Sequence, residues 1–195
     1  MPENRNPQHR LDLRNPLVLD TRELGRRAGS MRTVRFPAPA PADLGVELIG
    51  VPAGSEIDLD LRLESVMEGV LVSGTATVDL TGECGRCLEP VTDTLSVPIQ
   101  ELFAYPDSTT ETTAEDETAQ MEGDFLDLEP TLRDAVVLAL PLTPLCREDC
   151  AGLCAECGER LDDLPGRPED HTHEATDARW SALQDLLDTR TPEEK

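Results

Sequence analysis

Cysteine spacing constrains this chain more than any other feature of its sequence. Four of the six cysteines lie in one twelve-residue run, C-R-E-D-C-A-G-L-C-A-E-C, from Cys146 to Cys157. The other two, Cys84 and Cys87, form a second close pair, C-G-R-C, about sixty residues upstream. Thiolates at such spacings are typical ligands of a tetrahedral zinc ion. The sequence therefore indicates a metal or redox site.

The zinc site that we predict uses the local set Cys146, Cys150, Cys154 and Cys157. The last two have C-x2-C spacing and are followed directly by a glycine, which tolerates the positive φ of a tight knuckle. The first two are one residue further apart, which is still within the range used by zinc ligands. The loop has few apolar residues, so a structural zinc, with an apparent binding free energy of roughly 10–16 kcal/mol, would stabilise it.

Other uses of the cysteines stay open at this point. Cys84 and Cys87 could be alternative ligands that share one metal with the C-x2-C pair at 154–157, or they could be two thiols at a turn with no metal. A thioredoxin-type dithiol would be preceded by a Trp and embedded in a βαβ pattern, and C-G-R-C has neither. Disulfides are disfavoured, because the N-terminus lacks the apolar segment of a secretory signal and a reducing compartment is expected.

The charge of the chain is strongly acidic and unevenly placed. There are 40 acidic and 17 basic residues, a formal net charge of −23 at pH 7. Residues 1–40 are the exception, with eight arginines against four carboxylates. A negative field repels nucleic-acid phosphates and favours encounters with basic partners. Aromatic residues make up only 3% of the chain, so platforms for nucleobase stacking are few.

Several functional classes are disfavoured by what the sequence lacks. It has no apolar run near the roughly 18 residues of a membrane-spanning helix. It also has no paired catalytic carboxylates, buried histidine pattern or glycine-rich phosphate loop. We therefore expect a cytoplasmic protein with no enzymatic activity, no membrane contact and no small-molecule substrate.

The N-terminal residues 1–43 are predicted to form a basic strand and a linker. Leu11 and Leu13 alternate with polar residues in a strand that Pro16 interrupts. Residues 21–35 allow a short helix, and the alternating prolines of 36–43 are typical of an extended linker. The arginines of this segment that could contact RNA or a partner are Arg22, Arg26, Arg27, Arg32 and Arg35.

Residues 44–105 carry the period-two pattern of an antiparallel β meander. Glu56 to Val66 alternates apolar with charged residues, and Val70 to Leu80 and Val91 to Phe103 alternate in the same way. The C-G-R-C pair falls between the last two strands. We therefore place it at an exposed hairpin tip and outside the core.

The remaining chain is predicted to alternate between polar and helical segments. Residues 106–123 contain no basic residue and are expected to be disordered. Within 124–158, a helix begins near Pro130, ends at Pro141 and leads into the four-cysteine loop. Residues 159–195 form a polar linker and a final helix at 178–188. His171 and His173 lie in this linker, where we expect no metal on them.

Together these patterns predict an α+β protein. Its main part is an antiparallel, barrel-like β meander with a few short helices, and a C-terminal cysteine-rich zinc loop follows.

The order of these motifs along the chain is also typical of a known family. A strand series is followed by C-x-R-C-L-x-P at 84–90 and an acidic gap. Next come D-F-L-D-L-E-P-T-L-R-D-A-V-V-L-A-L-P at 124–141 and P-L-C-R-E-D-C-A-G-L-C-A-E-C-G at 144–158. This order resembles the YceD family of large ribosomal RNA subunit accumulation proteins, over about residues 10–190.

The resemblance implies a non-enzymatic role in 23S ribosomal RNA accumulation and large ribosomal subunit biogenesis. In that family the gene commonly lies beside that of a small, basic large-subunit ribosomal protein, and some members keep only the upstream cysteine pair. Combined with the acidic charge, this suggests that the protein holds a basic ribosomal protein or an assembly factor. The alternatives are direct RNA binding through the arginine-rich N-terminal segment and thiol-redox chemistry at Cys84 and Cys87.

Overall fold

The structure is a computed structural model that describes residues 11–108, 119–166 and 171–173. These residues belong to two compact units, one within 1–148 and the other within 149–195. The final helix predicted at 178–188, and residues 109–118 of the acidic segment, lie outside the described residues.

Strands dominate the first unit. In chain order the elements are β1 (Val18–Asp20), β2 (Met31–Pro39), β3 (Ile49–Gly50), β4 (Glu56–Ser65), β5 (Gly69–Glu83), β6 (Pro90–Ala104), β7 (Phe125–Asp127) and helix α1 (Glu129–Ala139). The strands β2, β4, β5 and β6 lie side by side, and β3 pairs with the far end of β5. β1 and β7 form a separate two-stranded sheet. The α+β class and the antiparallel meander are confirmed, and the sheets are open, not closed into a barrel.

One face of the large sheet forms the core. Ile57, Leu59, Leu61 and Leu63 of β4 are at most 2% exposed, as their period-two spacing predicts. This face packs in one cluster with Leu132 and Val136 of α1 and with apolar residues of β5, β6 and β7. The opposite face of the sheet is polar.

The N-terminal predictions were wrong in three places. Leu11 and Leu13 lie outside any strand, because the chain turns at residues 13–17 and β1 begins only at Val18. Residues 21–30 form turns where a short helix was predicted, and residues 31–39 form β2 where a linker was predicted from residue 36. β2 pairs with β4 from Met31 opposite Glu64 to Pro39 opposite Glu56. Proline cannot donate to a sheet ladder, but β2 is an edge strand, where a missing N–H is tolerated. The alternating prolines therefore belong to an edge strand.

Helix α1 follows the sequence prediction closely. It begins at Glu129 with a proline in its first turn and ends at Ala139, two residues before Pro141. Its buried residues are Leu132 and Val136. Leu140, directly after the helix, is also buried, with 6% of its surface exposed, and fixes the direction in which the chain leaves α1. Within the described residues, no helix combines the length and the apolar character needed to cross a membrane.

Candidate metal centres

The connection between β5 and β6 forms a tight knuckle around Cys84. The backbone N–H of Cys84 donates to the Glu89 carbonyl at 2.8 Å, and the N–H of Leu88 donates back to the Cys84 carbonyl at 2.9 Å. Leu88 adopts a left-handed φ of 61°, which is uncommon for a residue with a side chain. Cys84 and Cys87 thus lie in the connection of a β-hairpin, as their position between two alternating segments predicts.

This hairpin connection is buried, which corrects the predicted exposed tip. Cys84 is 0% exposed and Cys87 is 4% exposed. The chain that follows α1 covers them, because the backbone N–H of Gly85 donates to the Pro144 carbonyl at 2.8 Å. A Cβ atom at Gly85 would lie 3.0 Å from Cγ2 of Thr143, so the glycine of C-G-R-C permits this close approach. Sequence reasoning overlooked this role of the glycine.

The covering segment brings a third thiol to the pair. The sulfur atoms of Cys84, Cys87 and Cys146 all lie within 4.8 Å of one another, and the Sγ atoms of Cys87 and Cys146 are 3.6 Å apart. A disulfide would require about 2.05 Å between these two sulfurs. Two thiolates at about 2.3 Å from a tetrahedral zinc ion would be separated by about 3.8 Å. The observed distance therefore fits ligands that share a metal ion.

Backbone hydrogen bonds favour the thiolate form of Cys84. Burial by itself raises the pKa of a thiol, but the backbone N–H groups of Cys146, Arg86 and Cys87 donate to the Cys84 sulfur and bring its pKa down to about 6. The thiolate is the form of cysteine that ligates metals. Because one donor is Cys146 itself, the stabilisation depends on the covering segment.

A second group of four potential ligands lies within the other unit. The sulfurs of Cys154 and Cys157 and ring nitrogens of His171 and His173 all lie within 4.8 Å of one another. The Cys154 Sγ is 3.3 Å from Nε2 of His173, and the Cys157 Sγ is 3.5 Å from Nε2 of His171. This group combines two thiols with two imidazoles, the donor set of many structural zinc sites.

The two C-x2-C segments use the same backbone design. The N–H of Cys154 donates to the Glu159 carbonyl at 2.8 Å, and the N–H of Gly158 donates to the Cys154 carbonyl at 2.9 Å. These bonds match those around Cys84 position by position. Gly158 has a φ of 74°, as predicted for the residue after this C-x2-C pair, and Leu88 at the equivalent position of the first knuckle also has a positive φ.

The structure corrects the predicted grouping of the cysteine loop. Cys146 lies with the upstream pair, whereas Cys154 and Cys157 lie with His171 and His173. Cys150, the remaining member of the predicted set, has a buried side chain that is 2% exposed. The two histidines, which were expected to carry no metal, are thus placed beside thiols. Their H-x-H spacing was the available signal, but it does not indicate which thiols lie near the two histidines.

The hydrogen bonds of the second group make its two thiols unequal. Backbone N–H groups of Cys157 and Glu156 lower the pKa of Cys154 to about 6. The pKa of Cys157 is raised: a backbone N–H from Glu159 lowers it, but burial and the neighbouring Cys154 outweigh that effect. In the absence of metal, Cys154 is therefore the thiolate of the pair.

We expect metal-free protein at pH 7 to react with iodoacetamide at Cys154 at least about threefold faster than at Cys157. A thiol with a pKa near 6 is mostly ionised at pH 7, and this gain exceeds the lower intrinsic nucleophilicity of a more acidic thiolate. Labelling at Cys154 should fall as the pH drops through 6. Peptide mass spectrometry from pH 5 to 8 measures both rates, and equal rates at all pH values would contradict the assignment.

The arginines predicted to contact RNA or a partner are mostly matched by nearby carboxylates. Arg22 pairs with Asp20, Arg26 lies 3.5 Å from Asp124 and over the Tyr105 ring, Arg32 lies 2.9 Å from Glu23, and Arg35 lies 2.9 Å from Asp60. Arg27 makes no ion pair with another described residue. Four of these five arginines thus lie beside carboxylates of the first unit.

Fold and ligand clusters together define an α+β protein whose cysteine and histidine groups could hold metal ions. The chain belongs to the YceD family, because the family model described as "Large ribosomal RNA subunit accumulation protein YceD" matches residues 72–187. This confirms the resemblance seen in the motifs. Membership supports a general role related to ribosome biogenesis, and the family description names an accumulation protein, not a catalyst.

Mycobacterial relatives match nearly the whole chain. Uncharacterized proteins of Mycobacterium tuberculosis and Mycobacterium bovis are 46% identical over 188 residues, which cover 96% of this chain and 89% of each relative. An uncharacterized protein of Mycobacterium leprae is 43% identical over 180 residues, 92% of this chain and 81% of the relative. No solved structure matches.

Proposed function

We propose that this protein is a non-enzymatic factor that supports 23S ribosomal RNA accumulation by holding a basic ribosomal protein or a ribosome assembly factor. The observation that carries the proposal is the charge of the polar face of the large sheet, which we call the outer sheet face. Its charged residues on β2, β4 and the middle of β5 are Arg35, Glu56, Asp58, Asp60, Arg62, Glu64 and Asp79.

The outer sheet face keeps an excess of negative charge after its own ion pairs are formed. Arg35 lies 2.9 Å from Asp60, and Arg62 lies 2.6 Å from Glu64, so both guanidinium groups are matched on the same face. Glu56, Asp58 and Asp79 are exposed beyond these pairs. Such a surface attracts Lys-rich and Arg-rich proteins and repels nucleic-acid phosphates.

Small hydroxyl side chains separate these carboxylates. Thr75 and Thr77 of β5 lie between Asp58 and Asp60 of β4 and Pro98 and Ser96 of β6. Asp79 accepts a hydrogen bond from the Thr94 hydroxyl at 3.0 Å, which orients its carboxylate at the surface. Short side chains let a partner approach the sheet closely, and the carboxylates can then meet basic side chains.

Direct RNA binding through the N-terminal arginines has weaker support. Phosphate binding gains free energy when guanidinium groups replace the counterions of the phosphates. Arg22, Arg26, Arg32 and Arg35 are already beside carboxylates, so an RNA phosphate would have to compete with those partners. This competition favours a protein partner over RNA.

Thiol-redox chemistry at Cys84 and Cys87 also has weaker support. A dithiol that reduces protein disulfides must reach its substrate, whereas these two side chains are at most 4% exposed. The third thiol, Cys146, lies within 4.8 Å of both, which suits metal ligation better than exchange with a second protein.

A structural zinc ion in the first centre completes the proposal. We assign Cys84, Cys87 and Cys146, which all lie in the first unit, as ligands of this ion. Thiolate sulfur selects zinc over magnesium or calcium. The ion would fasten the segment after α1 to the β5–β6 connection, and these residues would hold it without any catalytic step.

Neutralising the outer sheet face should weaken binding of basic ribosomal proteins by about tenfold or more, since three exposed charge contacts each contribute about 0.5–1 kcal/mol. The variant is Glu56→Gln/Asp58→Asn/Asp79→Asn in the full chain. Immobilised protein is incubated with RNA-free proteins stripped from large ribosomal subunits at low and moderate salt, and retained proteins are identified and quantified. The matched control is Glu47→Gln/Glu68→Gln/Asp134→Asn, which makes the same change in net charge at exposed positions elsewhere.

The control separates a defined surface from bulk charge. If both triple variants lose the same amount of bound protein, the outer sheet face has no special role. A second assay uses purified 23S ribosomal RNA without protein. Tight RNA binding that disappears when Arg22, Arg26, Arg27, Arg32 and Arg35 are replaced by glutamine would overturn the proposal and favour the RNA-binding alternative.

A further inference from the structure

We propose that Cys154, Cys157, His171 and His173 form a second zinc site, so that each chain binds two metal ions at separate centres. The predicted single zinc in the cysteine loop is thereby replaced by two sites with different donor sets. The second site requires no binding partner, because one unit of this chain supplies all four of its ligands.

The distances within this group are those of a coordination shell. For zinc bonds of about 2.3 Å to sulfur and about 2.05 Å to nitrogen, tetrahedral geometry places sulfur and nitrogen about 3.6 Å apart and two nitrogens about 3.4 Å apart. The two measured sulfur–nitrogen distances are 3.3 and 3.5 Å, and the Nε2 atoms of His171 and His173 are 2.8 Å apart. An ion at the centre requires the two ring nitrogens to move apart by about 0.6 Å and the sulfur–nitrogen distances to lengthen by at most about 0.3 Å.

The orientation of the histidines also suits a metal. Both point their Nε2 atoms to the same place, and their rings are nearly perpendicular, at 86°, with centroids 4.5 Å apart. Nδ1 of His173 lies 3.9 Å from a carboxylate oxygen of Glu156. A carboxylate near the distal nitrogen of a ligating histidine is a common outer-shell feature of zinc sites. Glu156 belongs to the C-A-E-C knuckle, so one segment supplies both thiols and this carboxylate.

The second unit has almost no apolar core. Among its described residues only Cys150 and Gly152 are buried, and its 3-10 helix, Leu161–Asp163, contains no buried residue. A unit without an apolar core needs a cross-link, and zinc coordination supplies one. Ligation would close the chain between Cys157 and His171.

The two centres should differ in how fast they lose metal. Two ligands of the first centre, Cys84 and Cys87, are buried and Cys146 is exposed, whereas none of the four ligands of the second centre is buried. A chelator reaches an exposed ion directly, while removal of a buried ion requires local opening of the protein. We expect two phases of zinc release to a chelator, with the faster phase from the second site.

The test measures zinc per chain in the full-length protein by mass spectrometry, for the wild type, His171→Ala/His173→Ala and Thr172→Ala. We expect two, one and two ions, and the fast phase of release should be absent only from the double-histidine variant. Thr172→Ala is the matched control, because this exposed residue lies between the two histidines. Cobalt substitution gives an independent readout, since the double variant should lose the absorption of a two-thiolate site and retain that of the thiolate-rich site.

A conservative variant guards against misfolding. His171→Cys/His173→Cys offers thiolates at the same positions and should restore two ions per chain, which a general loss of structure would not allow. One ion per wild-type chain, or two ions in the double-alanine variant, would overturn the proposal. Failure of the cysteine variant to regain the second ion would also count against these positions as ligands.

Discussion

Cys84→Ser is expected to remove one of the two zinc ions and to lower the free energy of unfolding of the first unit by about 4 kcal/mol or more, as loss of a structural metal does. Cys84 is 0% exposed, and its sulfur accepts backbone hydrogen bonds from Arg86, Cys87 and Cys146. Loss of the ion would release the segment that holds Cys146. Zinc analysis and urea unfolding measured in buffer with trace zinc give the two quantities.

Cys157→Ser is the matched control for this result. It should also remove one ion, but unfolding of the first unit should stay close to that of the wild type, because Cys157 lies in the other unit. If Cys84→Ser retained its full zinc content while Cys157→Ser lost all of it, the metal would belong to the four-cysteine loop, and the assignment of Cys84 to a metal centre would be wrong.

Leu132→Ala in α1 is expected to destabilise the first unit by about 2–5 kcal/mol, the usual cost of truncating a fully buried leucine. Leu132 is 0% exposed and packs in the main core cluster. Leu138→Ala on the same helix is the control, since Leu138 is 86% exposed and its truncation should change stability by no more than about 0.5 kcal/mol. Thermal or urea unfolding of the two variants measures the difference. Similar losses in both would show that α1 does not pack as described.

Packing of α1 also has a consequence for the metal. The helix ends at Ala139, and only six residues separate it from Cys146. A weakened helix should therefore loosen the covering segment, and zinc should leave the first centre of Leu132→Ala faster than that of Leu138→Ala. This comparison tests whether the core and the first centre stabilise each other.

Alternating patterns predicted the meander well. Apolar residues occupy most of the alternate positions in β4, β5 and β6, and a strand with one buried face accommodates such a pattern in only one register. The same local reasoning failed at β2, because prolines at 37 and 39 are also typical of a linker. Only pairing with β4 at the sheet edge distinguishes the two, and edge position is a property of the whole sheet.

The two C-x2-C knuckles also combine a feature that the sequence predicts with one that depends on the tertiary structure. C-x2-C spacing and the following glycine predicted the tight turn at Cys154–Cys157, since hydrogen bonds between near neighbours determine it. Burial of Cys84 and Cys87 could not be predicted from C-G-R-C, because the covering residues, Thr143 and Pro144, are far away in the chain. Gly85 indicates that another part of the chain approaches closely, but it does not indicate which part.

The sequence by itself determined strands β4, β5 and β6, helix α1, the acidic charge and the presence of metal-ligating side chains, because each depends on residue types and short-range spacing. Only the tertiary structure decided which ligands come together. It places Cys146 beside a pair about sixty residues upstream, and it places His171 and His173 beside Cys154 and Cys157. The physical reason is that a coordination shell is defined by distances through space. Sheet pairing, helix packing and loop closure set those distances. Sequence spacing determines only the distances between ligands that are close neighbours in the chain.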